Sequence, residues 1–487
     1  MKKKYIILVA FAMTISLSGC YDLDRVPADQ LSSKQFYKNE EHAKEAMMAV
    51  YSQMQNDNVF GLQFSMDGLG GIAMGYDPPS YQTFQRGTYD VKNDWVLNKW
   101  KNLYEGIARA NGVLQNVDRC QMADELKVQY KAEAKFMRAL YYFTLMDFFG
   151  GVPIYDESVV VSKSYSDMKN AREPIEKVRE FVLKDLAEAI DKLPEAWDKT
   201  NYGRATKYAA IALTGKVYLY AKEYQKALDS FKQVVASGKY ALYDDYAGLF
   251  KPGGDESSEM IFAIQNMGGV GTDHGMPMNF YMGTRESYGS CWNNVMVSPY
   301  FVDTYEYKDG RPFDWDDWFP GIKTDNDIKV KTFRATLAEG KVTAYPAGKA
   351  KLLQMYQQRD PRMNMTVILP YTRYNGWYAN APEDCEFVIA PSITSGNGYI
   401  RVNGNYLWRK FVAEGNMGGA INNKEHTPIN FPLIRYADVL LMMAECQNEL
   451  GNQSAAVALI NQVRARKGVE MPGINSGPSY LKATTKA

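Results

Sequence analysis

The stretch "TKYAAIALTGKVYLYAKEYQKALDSFKQVVASGKY", residues 206–240, narrows the choice of fold more than any other. Tyr208, Ile211, Ala212, Gly215, Tyr218 and Leu219 recur at helical spacing, and so do Tyr224, Ala227, Leu228, Phe231, Val234 and Val235. Two amphipathic helices joined by a short turn form an αα-hairpin. Gly215 and Ala227, twelve apart, are small enough to let the two helices approach closely. The spacing recurs in "RYADVLLMMAECQNELGNQSAAVALINQVRARKGV", residues 435–469, where Ala444 and Ala456 are again twelve apart and Ile460 stands in the place of Phe231. Gly451-Asn452 marks the turn there.

Gly215, Tyr218, Ala227 and Phe231 satisfy the tetratricopeptide spacing, although Lys239 stands where a closing proline is usual. Upstream, residues 100–117, 126–153 and 174–194 are further amphipathic helices that miss the repeat offsets and read as degenerate repeats. Trp100, Leu103, Ile107, Ala110 and Leu114 make one face of the first; Gly150-Gly151 and Pro153 stop the second; Pro174 and Pro194 bracket the third. Residues 239–430 lack long periodic runs, apart from a short helix near 349–358. The expected fold is mainly α: a tetratricopeptide-like scaffold carrying a large loop-rich insertion, packed on the helices because repeat hairpins bury their core only against neighbours.

The N-terminus constrains location. Lys2, Lys3 and Lys4 precede an apolar run from Ile6 to Leu17, followed by Ser18, Gly19 and Cys20. That run is shorter than the roughly 20 residues a helix needs to span a bilayer, so it reads as a signal peptide. Leu17-Ser18-Gly19-Cys20 resembles a bacterial lipobox, in which the cysteine is acylated and becomes the mature N-terminus. Asp22 and Asp24 resemble the acidic tag of surface-exposed lipoproteins. The expected organisation is a signal peptide over 1–19, a helical scaffold over 20–238, a loop-rich aromatic insertion over 239–430 and repeat helices over 431–487.

Lysine plus arginine and aspartate plus glutamate each number 56, so no net field favours nucleic acid. Cys120, Cys291, Cys385 and Cys446 are widely spaced and form neither a disulfide framework nor a zinc motif. Only three histidines exist, His42, His274 and His426, none in HExxH spacing, and the chain has no GxSxG elbow and no phosphate-binding glycine loop. No cofactor or metal is expected. A glycosidase needs two facing carboxylates, which sequence alone does not reveal.

Between 280 and 319, twelve of forty residues are aromatic, against 13% overall. Flat rings with polar neighbours suit the apolar faces of sugars. Trp292, Tyr288, Trp315 and Trp318 are therefore candidate ligand contacts, with Trp377 in "YTRYNGWY" and Tyr81 in "PPSYQTFQRG". Asp314, Asp316 and Asp317 beside Trp315 can accept hydroxyl hydrogen bonds, and they do not match an EF-hand calcium loop. The competing reading makes such rings satellite cores under long loops.

"WKNLYEGIARANGVL", "EAKFMRALYYFTLMDFFGGVPI" and the stretch 435–469 resemble the characteristic segments of the SusD/RagB family of Bacteroidetes surface lipoproteins, and "LDRVPADQL" after Cys20 is similar to that family's mature N-terminus. The resemblance runs from Cys20 to about Val469. It implies a lipid-anchored outer-membrane protein, exposed at the cell surface, that covers a SusC-like TonB-dependent barrel. It also implies capture of glycan, or in some members peptide, for import without catalysis. A surface-anchored glycoside hydrolase and a pure protein-binding scaffold are the alternatives from other classes. Family members continue past "VRARKGV" into another helix, whereas here "EMPGINSGPSYLKATTKA" follows, so the resemblance implies a shortened C-terminus.

Overall fold

The computed structural model describes residues 36–76, 81–90, 92–159, 170–268, 275–391, 393, 396–400 and 406–483. The signal segment, Cys20 and His274 lie outside them. Eight helices of twelve residues or more carry the described structure: α1 (Glu40–Ser52), α2 (Asp94–Asn116), α3 (Asp124–Phe149), α4 (Ile175–Lys192), α5 (Lys207–Tyr220), α6 (Tyr224–Ala236), α7 (Tyr436–Glu449) and α8 (Gln453–Arg464). Successive helices pair as antiparallel neighbours, and α6 packs against α7 across the long intervening segment.

Local chemistry sets the helix boundaries. Asn93 caps α2 by accepting from the backbone N–H of Trp95 and Val96, and Thr206 caps α5 by accepting from Ala209. Gly150, at φ 70°, ends α3 in a conformation that side chains resist. A Cβ added at Gly215 would lie 2.5 Å from Cε1 of Phe231, so the close approach of α5 and α6 requires a glycine there. Phe231 and Ala227 are both fully buried.

Three buried ionic clusters tie segments that are far apart in sequence. Arg138 of α3 donates to both carboxylate oxygens of Asp185 on α4 (2.7 and 2.8 Å) and to Asn111 Oδ1 on α2 (2.7 Å). Glu133 accepts from Arg204 Nε (2.9 Å) and from the Tyr51 hydroxyl (2.7 Å), joining α1, α3 and the entry to α5. Glu259, fully buried, accepts from Arg466 beyond α8 (2.6 and 2.9 Å) and from Arg435. Charged hydrogen bonds of this kind are directional, so they fix how the helices are placed as well as holding them together.

Between α6 and α7 no described helix exceeds nine residues, and the strands are short. In the whole described chain these are β1 (Ala73–Gly75), β2 (Met260–Ile264), β3 (Val295–Val297), β4 (Thr336–Ala338), β5 (Lys341–Ala344), β6 (Val367–Ile368), β7 (Arg373–Tyr378), β8 (Ala381–Glu386), β9 (Leu407–Trp408) and β10 (Phe431–Arg435). They pair antiparallel as β1–β3, β2–β10, β4–β5, β6–β9 and β7–β8. The β2–β10 pair brings the two ends of the loop-rich region together. Phe262 of β2 meets Phe136 of α3 edge to face, with centroids 4.9 Å apart, so this region shares one apolar core with the helices.

Lys99 of α2 is fully buried, donates to the Val59 carbonyl and lies among the rings of Phe60, Trp95 and Phe148. Burial pushes its ammonium down to about 7, with Asp147 opposing. The unfolded chain therefore binds more protons than the folded one from about pH 7 up to the ordinary lysine range, and wild-type stability rises with pH across that window. Lys99→Met removes this dependence. The stability advantage of the variant over wild type is expected to shrink by about 2–3 kcal/mol between pH 7 and 9.5, because a difference of one bound proton changes stability by about 1.4 kcal/mol for every step of one in pH. Urea unfolding at both pH values measures it, and a pH-independent difference would show that the ammonium is not desolvated.

Candidate functional site

The chain reverses over residues 283–294 in a loop whose backbone is tied down almost residue by residue. The Thr284 carbonyl accepts from the N–H of Ser287 (3.1 Å) and Cys291 (3.0 Å), and Trp292 N–H donates to the Phe280 carbonyl (2.9 Å). Asn279, fully buried beneath the loop, donates to the Tyr288 carbonyl (3.1 Å) and accepts from Ala413 N–H (3.0 Å). Ser290 and Asn293 adopt left-handed φ of 59° and 53° on either side of Trp292. Non-glycine residues rarely hold that conformation, and here the surrounding bonds impose it. Cys291 is buried, and burial pushes its thiol up to about 12, so it packs as a small apolar group.

The side chain this loop presents is Trp292, with 53% of its surface exposed. Phe280 backs its ring at a centroid distance of 4.7 Å. Tyr281 continues the row at 5.0 Å from Phe280, and Lys424 Nζ lies 5.0 Å from the Phe280 centroid. Tyr76, 59% exposed, leaves β1 beside this loop, its N–H donating to the Asn294 carbonyl (3.0 Å). Asn293 is 7% exposed, and its Oδ1 has no hydrogen-bond partner among the described residues. A half-exposed indole on a fixed backbone, next to an unused amide acceptor and an ammonium, can stack on an apolar face while bonding hydroxyl groups around its rim.

The other residues singled out from sequence fall in three places. Tyr288 belongs to the same loop and Trp377, on β7, packs against it: their rings stand 5.7 Å apart, both half-buried, and Trp377 N–H donates to the Glu286 carbonyl (2.6 Å). Trp315 and Trp318 lie elsewhere and are half-buried. The Trp315 indole N–H donates to Asp303 (2.9 Å) and its ring packs on Phe313 and Phe333, whereas Trp318 donates to the Tyr307 hydroxyl (3.0 Å). Trp318 also lines a separate surface hollow of about 500 Å³ with Arg311, Gln354 and Gln358. Tyr81 is 5% exposed, under Trp95, whose indole donates to its hydroxyl (3.0 Å), and burial pushes that phenol up to about 12. Its ring thus has little free face.

The aspartates beside Trp315 are engaged in shaping their own loop. Asp314 accepts from Lys323 (2.7 Å), Asp316 from Gly321 N–H (2.8 Å), and Asp317 from Arg311 (2.9 Å) and Tyr307 (3.0 Å). Of the twelve aromatics between 280 and 319, only Trp292 and Tyr300 are exposed. Sequence reasoning passed over Tyr76, Asn293 and Lys424. Tyr76 sits in an ordinary glycine-rich turn, and the other two acquire meaning only from their position beside Trp292.

The sequence model of the SusD family matches residues 258–473, and one described as starch-binding associating with outer membrane matches residues 23–219. A SusD-like protein of Formosa agariphila is 23% identical over 489 residues, spanning 96% of this chain and 82% of its own length. A SusD-like carbohydrate binding protein from Bacteroides fragilis superposes with a TM-score of 0.71 at 22% identity, over 90% of this chain and 80% of that one. A laminarin binding SusD-like protein superposes with a TM-score of 0.61 at 23% identity, over 90% of this chain and 86% of that one.

Proposed function

Because this chain belongs to the SusD/RagB family, we propose that it is a cell-surface lipoprotein that captures oligosaccharide on the aromatic loop around Trp292, without catalysis. Cys20 carries the acyl anchor in the outer membrane, and a SusC-like TonB-dependent barrel receives the cargo. The observation that carries the binding half is the Trp292 indole, held half-exposed by a backbone fixed on both sides and backed by Phe280. Tyr288 of the same loop pairs with Trp377 of β7, and Asn293 Oδ1 and Lys424 Nζ supply an acceptor and a donor for hydroxyl groups. A rigid platform of this kind loses little conformational entropy when it binds. Carbohydrate in the names of relatives supports the choice of ligand class.

Isothermal titration of the purified chain against starch, laminarin and xyloglucan oligosaccharides and a peptide mixture tests the reading. Binding to at least one oligosaccharide is expected, with no new reducing ends after prolonged incubation. Binding to peptides alone would replace the ligand class, and release of reducing ends would make the protein a hydrolase.

A further inference from the structure

A cavity of about 340 Å³ opens where residues 63–72, 246–250, 408–411 and 431–435 converge, within the range of small-ligand sites. A neighbouring hollow of about 250 Å³ shares its Tyr246, Phe301 and Tyr305 walls. Neither is lined by Trp292, Tyr288 or Trp377. Phe64, Phe250, Phe301, Phe411 and Phe431 make much of the larger cavity's wall apolar.

The charges in this wall do not all find partners. Arg435 is held by Glu259 and Arg362 by Asp360. Lys410 Nζ lies 3.9 Å from the Phe250 centroid and 5.1 Å from that of Phe411, and among the described residues it joins no ion pair and donates no hydrogen bond. Cation–π contact compensates a desolvated ammonium only in part. Asp67 and Asp438 also line the cavity, but neither lies within ion-pair distance of Lys410, and burial pushes the Asp67 carboxyl up, with Lys410 opposing. Trp408, 3% exposed and also in the wall, has an indole N–H without any hydrogen-bond partner among the described residues. The cations act most visibly on Tyr246. Burial alone would raise the Tyr246 phenol, yet the net direction is down, because Lys410, with Thr366, Arg435 and Arg362, favours the phenolate.

We infer that this cavity binds an oxyanion carried on a small ring, a carboxylate or sulfate group whose oxygens take the Lys410 ammonium and the Trp408 indole N–H. A neutral sugar would leave the ammonium uncompensated. An isolated acid group would leave the phenyl walls uncovered.

Calorimetry on the full chain tests this with sodium glucuronate, sodium sulfate and glucose, each at ionic strength fixed with sodium chloride. Glucuronate is expected to bind with millimolar or tighter affinity and glucose not at all, while K410M and W408F each weaken glucuronate at least tenfold. Sulfate binding as tightly as glucuronate overturns the ring half of the inference, and weaker sulfate binding supports it. K410M removes the charge at nearly constant volume, and W408F keeps a ring in place, so either variant carries the test if the other fails to fold by circular dichroism. No binding of either anion, or equal affinity in wild type and both variants, overturns the inference and leaves a cavity that holds ordered water only. Oligosaccharide binding at the Trp292 loop is expected to survive K410M, so failure here is distinguishable from failure of the capture reading.

Discussion

Glu259→Ala is expected to lower the unfolding free energy by about 3–5 kcal/mol, the cost typical of stripping one partner from a buried charged cluster. Glu259 is fully buried and accepts two bonds from Arg466 (2.6 and 2.9 Å), one from Arg435 and one from Tyr243 N–H (2.8 Å). Alanine leaves the buried Arg466 guanidinium and the partly exposed Arg435 guanidinium without their shared carboxylate. The cluster joins the start of β2, the end of β10 and the residues just beyond α8, so its loss should loosen the loop-rich region from the last helical pair. Urea unfolding followed by circular dichroism measures the change. The double variant E259M/R466M should recover part of it, because it removes charges from both sides at once. Burial alone would raise the Glu259 carboxyl, but Arg466, Arg435 and the Tyr243 N–H hold it below the usual carboxylate range. Its folded pKa is thus depressed. The stabilisation is present above the unfolded carboxylate pKa and is lost as pH falls through the folded value. E259A should therefore show a weaker acid dependence than wild type between pH 5 and 3. A loss under about 1 kcal/mol would mean that solvent reaches the cluster.

Trp292→Ala is expected to weaken oligosaccharide binding about thirtyfold, some 2 kcal/mol, as truncating a central aromatic contact does. The same change should alter stability little, because the ring is half exposed and the loop backbone is held by its own hydrogen bonds. Trp315→Phe is the informative contrast. It deletes the bond to Asp303 (2.9 Å) while keeping a ring among Phe313 and Phe333, so it should reduce stability and leave affinity unchanged. Calorimetry with the tightest oligosaccharide of the panel, paired with thermal unfolding, separates the two effects. Equal affinity for wild type and W292A would remove this loop from the binding surface.

The helical architecture was legible in the sequence because its determinants are local. Gly215 and Ala227, twelve apart, announce a close helix pair, and the structure places Gly215 against the ring of Phe231. Gly150, Asn93 and Thr206 end or begin helices through the conformation and side chain of one residue. The density of rings between 280 and 319 was equally plain. Which rings face water was not, because that depends on contacts made beyond the reach of a single helical turn or cap. Trp315 turns inward because Asp303 and Phe333 are there to receive it, and Tyr81 is covered by Trp95. Trp292 remains outside because Asn279, Thr284 and Phe280 hold its backbone in place.

By itself, then, the sequence determined stacked helical hairpins, an aromatic segment inserted among them and a lipobox-like N-terminus, all features that short-range spacing encodes. Tertiary structure alone decided that Trp377 of β7 stands against Tyr288 of the Trp292 loop and that Lys410 and Trp408 line one cavity with Tyr246 and Phe64. The physical reason is range. Helix periodicity and capping act within a few residues, whereas exposure, pairing and desolvation are set by whatever the folded chain brings alongside.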